Sequence, residues 1–476
     1  MAISYFDYFG TEEYKINEYS YKKLDEESIF VSTVHGGWVV LSKEEFDIFR
    51  FGKLDKRPKL FKELEKNGLI VTGNNKENIV NVFKSRKSFL FNSVNLHIVS
   101  PTLRCNHKCV YCHAKSKPMS AKDFDMDEET AKDTVDFIFQ SPSNWIGIEF
   151  QGGEPLVNFP IVKYIIEYAK KKNKKENKRL SFIAVTNLSL MDHDILKYLI
   201  KNNVGLCTSL DGPKELHDKN RKLIGKGSSY DTTVKWIEII KNEYNYQISA
   251  LPTTTKFSLD YSKEIVEEYV KQGFDVIRLR ELNNAGFAQK LWEKIGYKPE
   301  EFLKHWKNVL DYVIELNRKG VDIKENMAVL LTKIFTMRNH PNYTCWGFPC
   351  GAALSQCAYD YKGGIYSCDE ARSFEIFKIG NVKEHSYKEV FLSPEVGNII
   401  SASSGLMTKC SSCVWRPFCG SCLVCNYGQH GNIIGDMSTN NECKIRQGML
   451  EYILKKIISP EERDILIKWS MLSKGI

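Results

Sequence analysis

From Asn95 to Glu281 short apolar runs alternate with longer amphipathic stretches. VNLHIVSP reads as a strand, followed by a cysteine-bearing loop and a helix beginning near Met126. WIGIEFQGGE is the next strand and PIVKYIIEYAK the next helix. SFIAVTN, VGLCTSLDG, QISALPTTT and DVIRLREL continue the strands, with DHDILKYLIKN, TTVKWIEIIKN and SKEIVEEYVKQG as helices between them. Each strand is short and apolar, and each helix carries one apolar stripe. Repeated strand–helix units of this kind predict an α/β fold: a parallel sheet with right-handed crossovers, curled into a partial (β/α)6, TIM-like barrel. In such sheets the reactive groups gather at the C-terminal strand ends.

The flanks read differently. Residues 1–92 predict a separate small α+β unit, with IFVSTVHGGWVVLS as a hairpin and EEFDIFRFGK and KLFKELEKNGLI as two short helices. Gly68 stands where a helix C-cap is expected. The barrel is assigned to residues 93–300 and a helical bridge to 301–344. Residues 345–450 are rich in Cys, Gly and Ser and weakly periodic, as expected where metal clusters replace a hydrophobic core. A closing helix is assigned to residues 451–476.

The hydrophobic fraction of 42% and charged fraction of 26% fit globular domains with sizeable cores. MAISYFDYFGTEEYK lacks the apolar centre of a signal peptide, and no apolar run approaches the roughly 20 residues that span a bilayer. The expected location is the cytoplasm, with no membrane partner. A net charge of +8 is modest for this length, and its densest run, KKKNKKENKR at Lys170 to Arg179, reads as a solvated connecting loop rather than a nucleic-acid tract. The cysteines change the picture most. There are 14, and in a reducing cytosol they predict metal or cluster ligation rather than disulfides. Three fall between Cys105 and Cys112, Cys207 stands alone as an expected core thiol, and ten lie between Cys345 and Cys443.

Cys105-x3-Cys109-x2-Cys112 can wrap one cubane and ligate three of its irons, leaving the fourth open. A structural zinc site would need a fourth ligand, for which His107 or His113 could serve. A ferredoxin loop would normally supply a fourth Cys. The spacing, with Tyr111 before the last cysteine, resembles the signature of the radical S-adenosylmethionine (SAM) superfamily. The resemblance implies that the open iron chelates SAM. It also implies that an electron, supplied by a donor such as flavodoxin or ferredoxin, generates a 5′-deoxyadenosyl radical. Gly152-Gly153-Glu154-Pro155 resembles the family's motif for the methionyl ammonium. Asn187 ends the third strand, where relatives contact the ribose, and Ser209 and Arg221 resemble the family's carboxylate contacts.

The distal cysteines resemble the SPASM extension, which carries two auxiliary [4Fe–4S] clusters, making three in all. That resemblance assigns Cys350, Cys357 and Cys368, with Cys422 or Cys425, to the first auxiliary cluster. It assigns Cys410, Cys413, Cys419 and Cys443 to the second, and leaves Cys345 unassigned. Asp369 matches the position of the substrate base in anaerobic sulfatase maturases; a polar partner to the cluster surroundings is the other reading.

The stretches FDMDEETAKDTVDFIFQSP, IEFQGGEPLVNF, VTNLSL, TSLDGPKELHDKNR, LPTTTKFSLD and GFDVIRLREL resemble the paired radical SAM maturases of the His-Xaa-Ser system. The implied activity is modification of a ribosomally made precursor peptide, forming a carbon–carbon, carbon–oxygen or thioether crosslink. Residues 1–92 resemble peptide-recognition domains that take a leader peptide as an added strand. The alternatives are side-chain oxidation of a protein, as in sulfatase maturases, and a cysteine-rich zinc protein that binds nucleic acid.

Overall fold

The computed structural model describes residues 14–337, 344–405 and 409–472. The first 13 residues, on which most of the signal-peptide reading rests, lie outside the described residues.

Strands β1 (Tyr19–Lys23), β2 (Ser28–Thr33) and β3 (Trp38–Ser42) form an antiparallel meander. β2 and β3 are the expected hairpin; β1, YSYKK, is too polar to show in the sequence pattern. Helices α1 (Lys43–Arg50) and α2 (Pro58–Lys66) follow, and Gly68 takes the left-handed φ of +68° just past α2. A third helix, α3 (Lys76–Lys87), is additional. The alternation of β2 serves two cores. Val31 joins Val39, Leu41, Phe46 and Leu64 in a core private to this unit, whereas Phe30 faces the other way and stacks on Trp415 at 4.8 Å. Trp38 completes that contact by donating its indole N–H to the Phe335 carbonyl at 2.8 Å. The unit is thus fastened to the C-terminal region through one sheet face.

The central alternation is as read. β4 (Leu96–Val99), α4 (Glu128–Ile138), β5 (Trp145–Phe150), α5 (Phe159–Glu176), β6 (Arg179–Val185), α6 (His193–Lys201), β7 (Val204–Ser209), α7 (Ser229–Glu238), β8 (Ile248–Leu251) and α8 (Ser262–Lys271) follow in order. β4 through β8 lie side by side and parallel. The sixth strand is shorter than DVIRLREL suggests: β9 (Val276–Ile277) is followed by a single parallel bridge from Arg280 to Thr253. The basic run is corrected. Helix α5 continues through it to Glu176 and ends on Asn177 with φ of 50°, so most of these lysines sit in the last helical turns, where cations oppose the helix dipole.

Helices α9 (Pro299–Arg318) and α10 (Asn326–Thr336) form the bridge. Beyond it, β10 (Gln356–Tyr359) pairs in parallel with β4, and β11 (Gly364–Tyr366) and β12 (Lys378–Asn381) add antiparallel strands, making one eight-stranded sheet. The cysteine-rich region is therefore not coreless. Its Tyr359, Ile365, Trp415 and Phe418 are buried in the same core as the barrel. Helices α11 (Leu423–His430), α12 (Asn441–Ile458) and α13 (Pro460–Leu472) close the chain, α12 running through the boundary expected at residue 450. Among the described residues no helix is long and apolar enough to cross a membrane.

Candidate active site

The Cys105–Cys112 loop leaves β4 and lies across the C-terminal ends of the neighbouring strands. Its middle, His107–Cys109, pairs antiparallel with Arg221–Leu223, placing Arg221 opposite Cys109. The loop carrying Gly152 and Gly153 packs directly on it. A Cβ on Gly153 would stand 2.2 Å from the Arg104 carbonyl, and one on Gly152 would stand 2.2 Å from the Ser100 hydroxyl. Gly152 also has a φ of +120°. The glycines let two backbones touch: Gly153 donates its N–H to Thr102 O at 2.9 Å and Glu154 to Arg104 O at 2.8 Å.

Glu154 is fully buried. Its Oε1 accepts from the Thr186 hydroxyl at 2.6 Å and the Leu156 N–H at 3.1 Å, and its Oε2 from the Asn187 N–H at 2.8 Å. Burial pushes its carboxyl up to about 7 against these donors. Asn187 in turn donates its side-chain amide to Asn106 Oδ1 at 3.1 Å, and that nitrogen lies 3.9 Å from the Cys105 sulfur.

Arg221 is not a surface residue. Its Nε donates to Asp211 Oδ1 at 3.2 Å, its guanidinium lies 5.1 Å from the Tyr111 ring centre, and the Tyr111 hydroxyl donates to Asp211 Oδ2 at 2.7 Å. Asp211, at the end of the SLDG run, is the shared partner that sequence reasoning left without a role. Ser209 closes β7 opposite Leu251, half-buried. Cys207 is buried, as expected of a core thiol, and burial pushes it up to about 11.

The three loop thiols are grouped: burial raises the Cys105 thiol, and Cys109 and Cys112 raise it further. Burial also pushes Cys109 up to about 12. Cys105 and Cys109, so placed, ionise only beside a strong cationic centre, and with Cys112 in the same short loop they fit the open-sided cubane.

The C-terminal region reaches this loop. Ser373 donates its hydroxyl to the His113 carbonyl at 2.9 Å, and Phe287 donates its N–H to the Cys112 carbonyl at 2.9 Å. Asp369 lies 3.1 Å from His113 Nε2 and accepts from Arg372. Burial alone would raise its carboxyl, but Arg372 and His113 hold it well below the usual carboxylate range. The sequence marks His113 only as a candidate zinc ligand, and Arg372 carries no signal beyond standing close to Asp369.

The distal thiols form two groups. Burial raises Cys350, and Cys422 and Cys345 add to it; Cys368 is raised by burial, then by Cys422 and Cys350. Burial pushes Cys413 up to about 11, with Cys410 and Cys443 adding to it, and the same three thiols act on Cys419. Cys357, expected with the first group, is elsewhere. It lies on β10, fully buried, with its sulfur 3.2 Å from the Tyr359 hydroxyl and 3.6 Å from His97 Nδ1.

Residues 99–259 match the radical SAM superfamily and residues 350–414 match SPASM, an iron–sulfur cluster-binding domain. The chain is a radical SAM enzyme with a SPASM domain. This radical SAM–SPASM enzyme accordingly uses S-adenosylmethionine and [4Fe–4S] clusters. It is 24% identical over 362 residues to the cysteine-type anaerobic sulfatase-maturating enzyme of Clostridium perfringens strain 13, covering 75% of this chain and 95% of that one. In fold it is similar to native anSMEcpe with bound AdoMet, with a TM-score of 0.67, 21% identity, and coverage of 78% of this chain and 99% of that one. It is also similar to Streptococcus suis SuiB bound to precursor peptide SuiA, with a TM-score of 0.54, 17% identity, and coverage of 90% and 99%.

Proposed function

We propose that this enzyme modifies a ribosomally made peptide, installing a side-chain crosslink. The observation that carries the reading is the contact of Asp369 with His113, which brings the SPASM region within 3.1 Å of the residue after Cys112. A long flexible substrate can be reached from both sides there. Once bound, the cluster and SAM supply a 5′-deoxyadenosyl radical that abstracts hydrogen from the substrate.

The chain's own residues do the rest. Cys105, Cys109 and Cys112 hold the radical-forming cluster, and Gly152, Gly153 and Glu154 fix the loop that receives the methionyl ammonium. Asn187, Ser209, Arg221 and Tyr111 line the remaining cosubstrate contacts. Cys345, Cys350 and Cys368, with a thiol from the start of α11, hold the first auxiliary cluster; Cys345 takes the place first given to Cys357. Cys410, Cys413, Cys419 and Cys443 hold the second. Asp369, kept ionised by Arg372 and His113, would accept the proton, and the auxiliary clusters the electron, released as the substrate radical is oxidised to a closed-shell product.

The N-terminal unit supports a peptide substrate. Its meander ends on β1, a short edge strand paired on one side with β2. A leader peptide could add there as a further strand. SuiB, whose match extends over 90% of this chain, is described bound to a precursor peptide. The working compartment is the cytoplasm, whose reducing state keeps the thiols available.

The sulfatase-maturase relative favours a second reading, oxidation of one Ser or Cys in a protein target. Mass spectrometry of a candidate partner peptide treated with enzyme, SAM and reductant separates the two. A crosslink removes two hydrogens and leaves a ring in tandem spectra. Formylglycine at one residue, with no ring, would contradict crosslinking.

A further inference from the structure

Cys422 is the N-cap of α11 and Cys425 its third helical residue. That spacing puts two side chains over the same first turn. Their sulfurs and one Glu442 carboxylate oxygen lie within 4.8 Å of one another. The segment leading into Cys422 lies against the first auxiliary group: Arg446 donates both to the Cys345 carbonyl at 2.8 Å and to the Gly420 carbonyl at 2.7 Å, and a Cβ on Gly420 would stand 2.0 Å from the Gly347 carbonyl. Cys425 faces the barrel mouth: its sulfur is 3.5 Å from Asn283 Oδ1, and the Asn283 amide donates to Glu370, the neighbour of Asp369. Four thiolates complete a cubane, so Cys345, Cys350 and Cys368 need one further thiol, and two stand at the start of α11.

We propose that Cys422 and Cys425 are interchangeable ligands for one position of the first auxiliary cluster. Either sulfur alone closes the four-thiolate set, and the thiol left free stands between the SPASM region and the barrel mouth. The inference rests on the cluster reading above. Adjacent placement on one turn makes the exchange a matter of side-chain rotamers, with α11 unmoved. Exchange is redox-neutral: one iron–sulfur bond breaks, another forms, and the proton of the incoming thiol passes to the departing sulfur.

The test uses the full chain carrying C105A, C109A and C112A, which removes the radical-forming cluster and its open iron. Into it are placed C422A, C425A or both. Each protein is reconstituted anaerobically with iron and sulfide, reduced, and examined by pulsed EPR with carbon-13-labelled cyanide. Both single variants should hold about eight irons, as the parent does, and show no carbon-13 coupling. The double variant should either bind cyanide or lose about four irons. Cyanide binding or loss of about four irons in either single variant overturns the proposal. So does a double variant indistinguishable from the parent. A parent holding no auxiliary iron would instead refute the cluster reading itself.

Discussion

Oε2 of Glu154 accepts the backbone N–H of Asn187 at 2.8 Å, tying the ends of β5 and β6 together beneath the cysteine loop. With the Thr186 hydroxyl and Leu156 N–H on its other oxygen, the carboxylate satisfies three buried donors. Glu154→Gln offers one acceptor oxygen and turns an NH2 toward a donor. Denaturation of the metal-free protein should show a loss of about 1–3 kcal/mol. An unchanged midpoint would show that the tie is not structural.

Gly286 has a φ of +61°, and a Cβ there would stand 2.3 Å from the Cys112 carbonyl. Gly286→Ala should push the cysteine loop away from the barrel mouth. Reconstituted protein should lose about four irons, those of the radical-forming cluster, while keeping the auxiliary ones. Iron analysis with EPR checks this.

Glu325 caps α10 with a fully buried carboxylate that accepts the Ala328 N–H at 2.7 Å. Burial pushes its carboxyl up to about 7 from an ordinary 4.5, with the helix N–H groups opposing the rise. The folded state therefore binds this proton more tightly than the unfolded chain. Stability from this group is complete below pH 4.5 and is lost as pH rises through 7. Relative to Glu325→Gln, the native chain should lose about 3 kcal/mol between pH 4 and 8, measured by urea unfolding. A constant difference across that range would contradict the prediction.

Asp369→Asn keeps the shape of the group beside His113 and Arg372 but removes its basicity. Deoxyadenosine should still form, because that step precedes proton loss from the substrate, whereas modified peptide should fall about a hundredfold. An equal fall in both would assign Asp369 to packing the cysteine loop instead.

The barrel was legible because its strands are short apolar runs and its helices carry one clear stripe, as in SFIAVTN and DILKYLIKN. The cysteine loop and the glycines of GGEP were legible because their residue types are scarce and their spacing fixed. Other features depend on tertiary partners. Lys170 to Glu176 reads as a loop by charge, yet α5 carries it because its apolar stripe is already packed upstream. The SPASM resemblance makes Cys357 a ligand, but cysteine is also a small core residue, and pairing of β10 with β4 buries it. Asp211 and His113 draw their roles from contacts with Arg221 and Asp369, which lie far along the chain or in another region.

The central claim is that Cys105, Cys109 and Cys112 build the centre that cleaves SAM. Deoxyadenosine released from SAM under anaerobic reducing conditions tests it directly, comparing the native chain with the C105A/C109A/C112A variant. The native protein should be brown, hold about twelve irons and release deoxyadenosine, and the variant should release none while keeping about eight irons. A colourless, zinc-loaded native protein, or a variant that still releases deoxyadenosine, would contradict the account.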